Sequence, residues 1–476
     1  MFCQLDALRQ CLPSSLRRTL AELPESLDAT YEQIVKGIKK GNREDAYRML
    51  QFLAVAIRPL SVAELAELLA FDFDASHATQ GGIPKLNSKW RWDDHEQAVL
   101  STCSSLVTIV PRHYGSPVVQ FSHFSVKEFL MSDRLATLSK DISQYHIIPE
   151  PANTLIARAC LGVLLRDPVD ENGAATAALA QYAAEHWVTH ANFENVVSRI
   201  RDGMETLFDP DRPYFSAWVK LYNIDRRIGS SGLKSKVRPD PAPLYHAAFC
   251  GFHEIVEHLA LKHPDYANAI SGPRGTALHS ASDAGHIEVV RSLLKCGVDV
   301  DPLGSLGRSP LQLASRNGCL DVVQCLLDHG ADAKFQDGDY ITPLSHAAVY
   351  GHLEIVRILL EHNAVIDTPS RQLGCTPLHW VIINDFYNSK GNHPQVVRFL
   401  LERGANPNAW DNKCRTPLHH VMLGLKSSFR LEILRIMLAH GADIDAEDEM
   451  GETPLQVALA DNDGELMQLL SEYRSN

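Results

Sequence analysis

TPLH at 376–379 recurs in variant form six more times: APLY at 242, TALH at 276, SPLQ at 309, TPLS at 342, TPLH at 416 and TPLQ at 453. The intervals are 34, 33, 33, 34, 40 and 37 residues. Thr or Ser at 276, 309, 342, 376, 416 and 453 can cap a helix, and Pro at 310, 343, 377, 417 and 454 then falls at the first helical position, where no amide donor is missed. About ten residues on, a second short helix is expected, such as 287–294, with Ile287, Val290, Leu293 and Leu294 on one side, or 353–360. Gly297, Gly330, Gly404 and Gly441 stand where a left-handed residue closes that helix, and Asn363 serves the fourth repeat. Helices this short are marginal alone in water, so neighbours must stack. Asp461, Asp463, Glu465 and Glu472 give the last repeat the look of a polar cap.

The period and the T-P-L-H-x-A pattern resemble ankyrin repeats, which makes residues 242–476 an array of about seven. The resemblance implies a helical solenoid that binds proteins through hairpin tips and a concave helix face. Carried onto this chain, the tips include Tyr340, Trp410 and Arg415, and the concave face includes Phe249, Asp283, Arg316 and Tyr350. The two long intervals place insertions at 384–394 and 423–430, and Phe386 and Tyr387 lie in the first of these. Insertions in solenoids map to loops on one face, and aromatic and Arg residues dominate interface energetics.

Residues 1–225 have another texture. Leu27, Tyr31, Ile34, Val35 and Ile38 recur at helical spacing; Ser61 and Glu64 match a capping box, as do Ser125 and Glu128. Two β-like runs, 106–110 and 118–121, flank the turn-rich PRHYGSP, which suggests a winged helix. LPESLDATYEQIV at 23–35, RPLSVAELAELLAF at 58–71, LSTCSSLV at 100–107 and VVQFSHFSVKEFL at 118–130 resemble the region downstream of the NACHT domain in fungal STAND-type signalling NTPases with ankyrin repeats. The domains expected are thus a winged-helix-like region at 1–140, a helical subdomain at 141–225, a linker at 226–241 and the repeats at 242–476. The fold class expected is mainly α. The family's P-loop, G-x-x-x-x-G-K-[ST], does not occur, so nucleotide binding is carried onto no residue here, and the chain is expected to be either a piece of a longer product or a stand-alone form.

The composition of the 476 residues, 45% hydrophobic and 22% charged, is ordinary for globular domains, and no apolar run is long enough for a membrane helix. The amino terminus has neither the basic start nor the apolar stretch of a secretory signal, so a cytoplasmic or nuclear location is expected. The ten cysteines contain no C-x-x-C pair and read as reduced thiols. No G-x-S-x-G elbow occurs; His253 and His258 are five apart, the wrong spacing for a zinc-protease helix; and the Asp461 and Asp72 clusters are too short for a calcium loop. No catalytic, cofactor or metal residue is therefore expected, and the chain reads as a non-enzymatic binder of protein partners, a P-loop NTPase among the candidates. Residues 242–476 hold 18 Lys and Arg against 29 Asp and Glu, a net charge of -11, which disfavours nucleic acid. The basic run Arg226 to Arg238 reads as a solvated linker, and the rival reading is a nuclear co-regulator working through ankyrin contacts.

Overall fold

The computed structural model describes residues 27–73, 83–87, 94–103, 105–112, 115–166, 177–222, 242–304, 307–385, 392–423, 429–460 and 464–474. The chain divides into two compact units, residues 1–232 and 233–476. Phe386, Tyr387 and the 226–241 linker lie outside the described residues.

In the first unit, helices Leu27–Gly37 and Arg43–Val55 precede strand β1, Leu60–Ser61. Helix Val62–Leu69 follows directly, opened by the expected capping box: Glu64 N donates to Ser61 Oγ at 3.2 Å and Ser61 N to Glu64 Oε2 at 2.7 Å. Strands β2, Phe71–Asp72, and β3, Lys85–Leu86, pair with each other. Helix His95–Cys103 then leads into β4, Val107–Val110, and β5, Val118–Phe121. The sheet is antiparallel in the order β1-β5-β4, with Val119 opposite both Leu60 and Ile109. Three helices with a hairpin whose second strand pairs back to a short first strand make a winged helix.

Two details differ from the sequence reading. The helix entering the hairpin is His95–Cys103, an element not expected from the sequence; in the helix before it Val62 and Glu64 to Leu69 are all buried. The last helix of this region begins at Phe124, not after Ser125. His123 caps it, accepting from Ser125 N at 3.3 Å, because the Ser125 hydroxyl is engaged with Tyr31 Oη at 2.8 Å and with His123 Nδ1 at 2.6 Å.

The unit continues through helices Pro149–Leu164, Ala177–Ala191, Val196–Leu207 and Tyr214–Leu221. Trp187 and Trp218 meet edge to face at 5.4 Å in their core, and Phe208 packs on both. Glu67 accepts from Leu179 N at 3.1 Å, so a carboxylate of the winged region caps a helix of the helical region. Buried His190 is satisfied on both nitrogens, by Tyr182 Oη at 2.9 Å and Asn153 Oδ1 at 2.8 Å.

The second unit is a stack of seven helix pairs. The first helices begin at Pro243, Ala277, Pro310, Pro343, Pro377, Pro417 and Pro454; the second begin at His253, Ile287, Leu320, Leu353, His393, Arg430 and Gly464. Each tetrapeptide thus opens a helix, and Gly297, Gly330, Gly404, Gly441 and Asn363 all take positive φ after the second one. Through the first five repeats the first helices pack more closely on each other than the second helices do, because buried Ala247, Ala281, Ala314 and Ala347 lie on them. The array therefore curves with the first helices on the concave side. A hairpin, here called a finger, joins each pair to the next.

Candidate protein-binding surface

Three kinds of hydrogen bond make the fingers rigid. First, each is closed by a main-chain bond, such as Asp337 N to Ile341 O, Asp411 N to Arg415 O and Asp448 N to Glu452 O. In these three the aspartate also accepts two amides of its own turn: Lys413 N and Arg415 N each reach Asp411 Oδ1 at 2.8 Å. Second, neighbouring fingers are joined main chain to main chain, Arg371 N to Asp339 O and Asn412 N to Leu373 O at 2.9 Å, and Glu449 N to Lys413 O at 3.1 Å. Third, the tetrapeptide histidines reach forward. His379 Nδ1 accepts within its own cap from Thr376, at 3.2 Å from the amide and 2.9 Å from the hydroxyl, leaving Nε2 to donate to Arg415 O at 3.2 Å. His279 and His419 repeat this pattern, and Gln312 does the same work, donating to Ile341 O at 2.6 Å.

A second set of histidines reaches backward. His286, His352 and His393 use Nε2 on the carbonyls of Phe249, Arg316 and Val349 at the ends of the preceding first helices. Gly318 lies against this contact: its φ is +77°, and a Cβ there would sit 2.6 Å from the His352 ring. Burial drives the His279, His286, His346, His352, His379 and His419 rings below their ordinary value, His379 to about 4. All are neutral, and all but His346, whose Nε2 has no partner, link one repeat to the next.

On this rigid frame each of the six fingers carries an exposed large apolar residue near its tip, and the fourth also exposes Val365 at its base. Those near the tips are Ile270, Leu303, Tyr340, Leu373, Trp410 and Met450, with exposure from 45% at Tyr340 to 74% at Met450. Together they form a ridge along the fingertips. The predicted tip residues Tyr340 and Trp410 belong to it. Ile270, Leu303, Leu373 and Met450 were missed, although an apolar residue inside an otherwise polar turn, three or six positions before the cap, was a readable signal. Arg415 is committed elsewhere: it pairs with buried Asp448 at 3.3 Å, as Arg308 pairs with Asp337 at 3.7 Å.

The four predicted concave residues fall into two clusters. Arg274 stacks on Phe249 and ion-pairs with Asp283, which also accepts from Asn317 Nδ2 at 2.9 Å. Arg316 lies over Tyr350 and donates to its hydroxyl at 3.2 Å. All four are half-buried, offering a polar and aromatic floor beneath the ridge. Among the described residues, the group able to hold a metal is Cys375, Asp411 and His420. No described helix is long and apolar enough to cross a membrane.

Comparison with known proteins agrees with both halves of this architecture. The family described as ankyrin repeats matches three times, over residues 244–337, 311–411 and 386–476. The winged helix domain of GPI inositol-deacylase matches residues 31–141. The azaphilone pigments biosynthesis cluster protein L of Monascus ruber is 31% identical over 301 residues, which is 59% of this chain and 61% of that protein. Human transient receptor potential cation channel subfamily A member 1 is 34% identical over 98 residues, 20% of this chain and 8% of that protein. The chain thus spans less than two thirds of either relative. Among solved structures, the human ASB11 ankyrin repeat domain aligns with 49% of this chain and 97% of its own at 26% identity, with a TM-score of 0.42. The chain therefore carries an ankyrin-repeat solenoid over its carboxy-terminal half and, before it, a winged helix domain of the GPI-inositol-deacylase type.

Proposed function

We propose that this chain is a non-enzymatic interaction scaffold that holds a protein partner along the fingertip ridge, with the concave floor as a second contact. The observation that carries the reading is an exposed apolar anchor on each of six fingers fastened to their neighbours. Anchors held in place before binding lose little conformational entropy on contact. The array has a net charge of -11, and Asp443, Asp445, Glu447, Glu449 and Glu452 are exposed around Met450. The partner segment would therefore be apolar with basic flanks.

Affinity capture from the protein's own cells, with the wild-type chain and a Tyr340→Ala/Trp410→Ala double variant, tests this reading. Capture should fall by about tenfold or more, which corresponds to about 1.4 kcal/mol, and should weaken as salt rises. Undiminished capture by a folded variant removes the ridge assignment. We further place the chain as the sensing part of a fungal STAND-type signalling system, acting in the cytoplasm with access to the nucleus. This rests on the pairing of winged helix and ankyrin array and on its resemblance to the region downstream of a NACHT domain. A P-loop NTPase among the captured proteins supports that placement, and a chain that signals without one counts against it.

A further inference from the structure

Three fingers carry the turn-closing aspartate, and their surroundings differ at one position. Arg308 and Arg415, each directly before a first-helix cap, pair with the aspartate of the next finger, Asp337 and Asp448. The residue directly before the Thr376 cap is Cys375. Asp411 therefore faces a buried thiol where its counterparts face a guanidinium. His420 Nε2 donates to Asp411 Oδ2 at 2.8 Å, and one donor atom from each of Cys375, Asp411 and His420 lies within 4.8 Å of the other two. His346 holds the position of His420 in the Arg308 interface. There the ring Nε2 has no partner, while burial, with Arg308 and Arg316 behind it, drives the imidazole down to about 3. In that interface the cation is the arginine. At Cys375 the same carboxylate and imidazole are kept, and a sulfur ligand replaces the positive charge.

We propose that Cys375, Asp411 and His420 form a metal site of the zinc class, in which the cation takes the place that arginine fills in the two sister interfaces. A thiolate, an imidazole and a carboxylate oxygen are the donor types zinc prefers, with water completing a four-coordinate shell. Bond lengths of roughly 2.0–2.3 Å put such donors about 3.5 Å apart, so the group needs a closure of only about 1 Å. Asp411 Oδ1 is already fixed by the Lys413 and Arg415 amides, which orients Oδ2 toward the site. On binding, the Cys375 thiol releases its proton to solvent and Sγ supplies the bonding pair, while the ring proton of His420 moves to Nδ1 and Nε2 turns to the metal. Burial, with Asp411 adding to it, pushes the free thiol up to about 12, so without a cation it stays protonated and unreactive. A bound cation reverses that preference.

The test is titration of the reduced full-length chain with Co²⁺, followed by thiolate-to-cobalt charge-transfer absorption and competition by Zn²⁺. One equivalent should produce the absorption with the visible bands of tetrahedral cobalt. Cys375→Arg, which restores the residue of the sister interfaces, should abolish it while melting no lower than the metal-free wild type. His420→Gln should weaken binding by at least about tenfold, the lower bound for losing even an outer partner. Cys414→Ser, removing an exposed cysteine outside the group, should change nothing. The proposal is overturned if the wild type shows no thiolate–cobalt absorption, or if Cys375→Arg shows it undiminished.

Discussion

Tyr340 is held at φ +59°, in the left-handed region, two residues before the cap of its repeat. At the same turn position glycines 307, 374 and 451 take φ of +67°, +70° and +74°. A side chain costs about 1 kcal/mol there, of which the Arg371 guanidinium over the Tyr340 ring at 5.6 Å returns only a part, roughly 0.5 kcal/mol at an exposed site. Tyr340→Gly should therefore raise the thermal midpoint while weakening partner capture, and a variant that lost stability would refute the conflict. His379 behaves in the opposite way. His379→Ala strands the Thr376 amide and the Arg415 carbonyl and should cost about 1–3 kcal/mol in chemical denaturation, whereas His379→Gln, copying Gln312, should cost much less. The tetrapeptide was legible because most of its job is local: the hydroxyl, the proline and the Nδ1 edge of the imidazole act within four residues of the cap, while Nε2 reaches the next finger. The tie that Arg415 makes to Asp448 was not legible, for the converse reason. Asp448 is 33 residues away, and sequence spacing alone does not separate an arginine tying two fingers from one offered to a partner.

Among elements, the helix Val62–Leu69 rests on its start. The Ser61 hydroxyl satisfies an amide of the first turn, and Glu64 returns the bond while pairing with Arg58 at 2.6 Å. Ser61→Ala should destabilise the winged helix domain by about 1 kcal/mol, read as a lower denaturant midpoint at unchanged slope. This cap was visible in the sequence, and so were both hairpin strands, because apolar residues recur there at a clean period. Helix His95–Cys103 was not, since its sequence HEQAVLSTC shows no sustained apolar stripe and follows a polar stretch. The cap at Ser125 failed because the hydroxyl was recruited by Tyr31, 94 residues away. Local grammar yields when a distant group offers the better bond.

For the whole molecule, the neutral histidines set the response to acid. The rings of His190 and His379 sit at about 4 and that of His346 at about 3, against an ordinary value of 6.5, so each binds its proton in the unfolded chain before it does in the folded one. Stability from these groups is complete above about pH 6.5 and is lost as pH falls from 6.5 toward 4. Melting temperatures measured across that window should decline before most carboxylates titrate; a flat profile would mean that the rings are hydrated in solution. The order of the domains and the number of repeats followed from periodicity, while the ridge did not, because one apolar residue per turn is inconspicuous until six turns are brought side by side. That alignment makes the fingertips a comb. Teeth set at the spacing of packed helices, about 10 Å, match a polyproline II segment at every third residue, three residues rising about 9 Å on one face, and a helix at about every seventh. A ligand with apolar residues at any other interval would seat one tooth and miss the next, so the pitch of the stack is itself a filter on which sequences can bind.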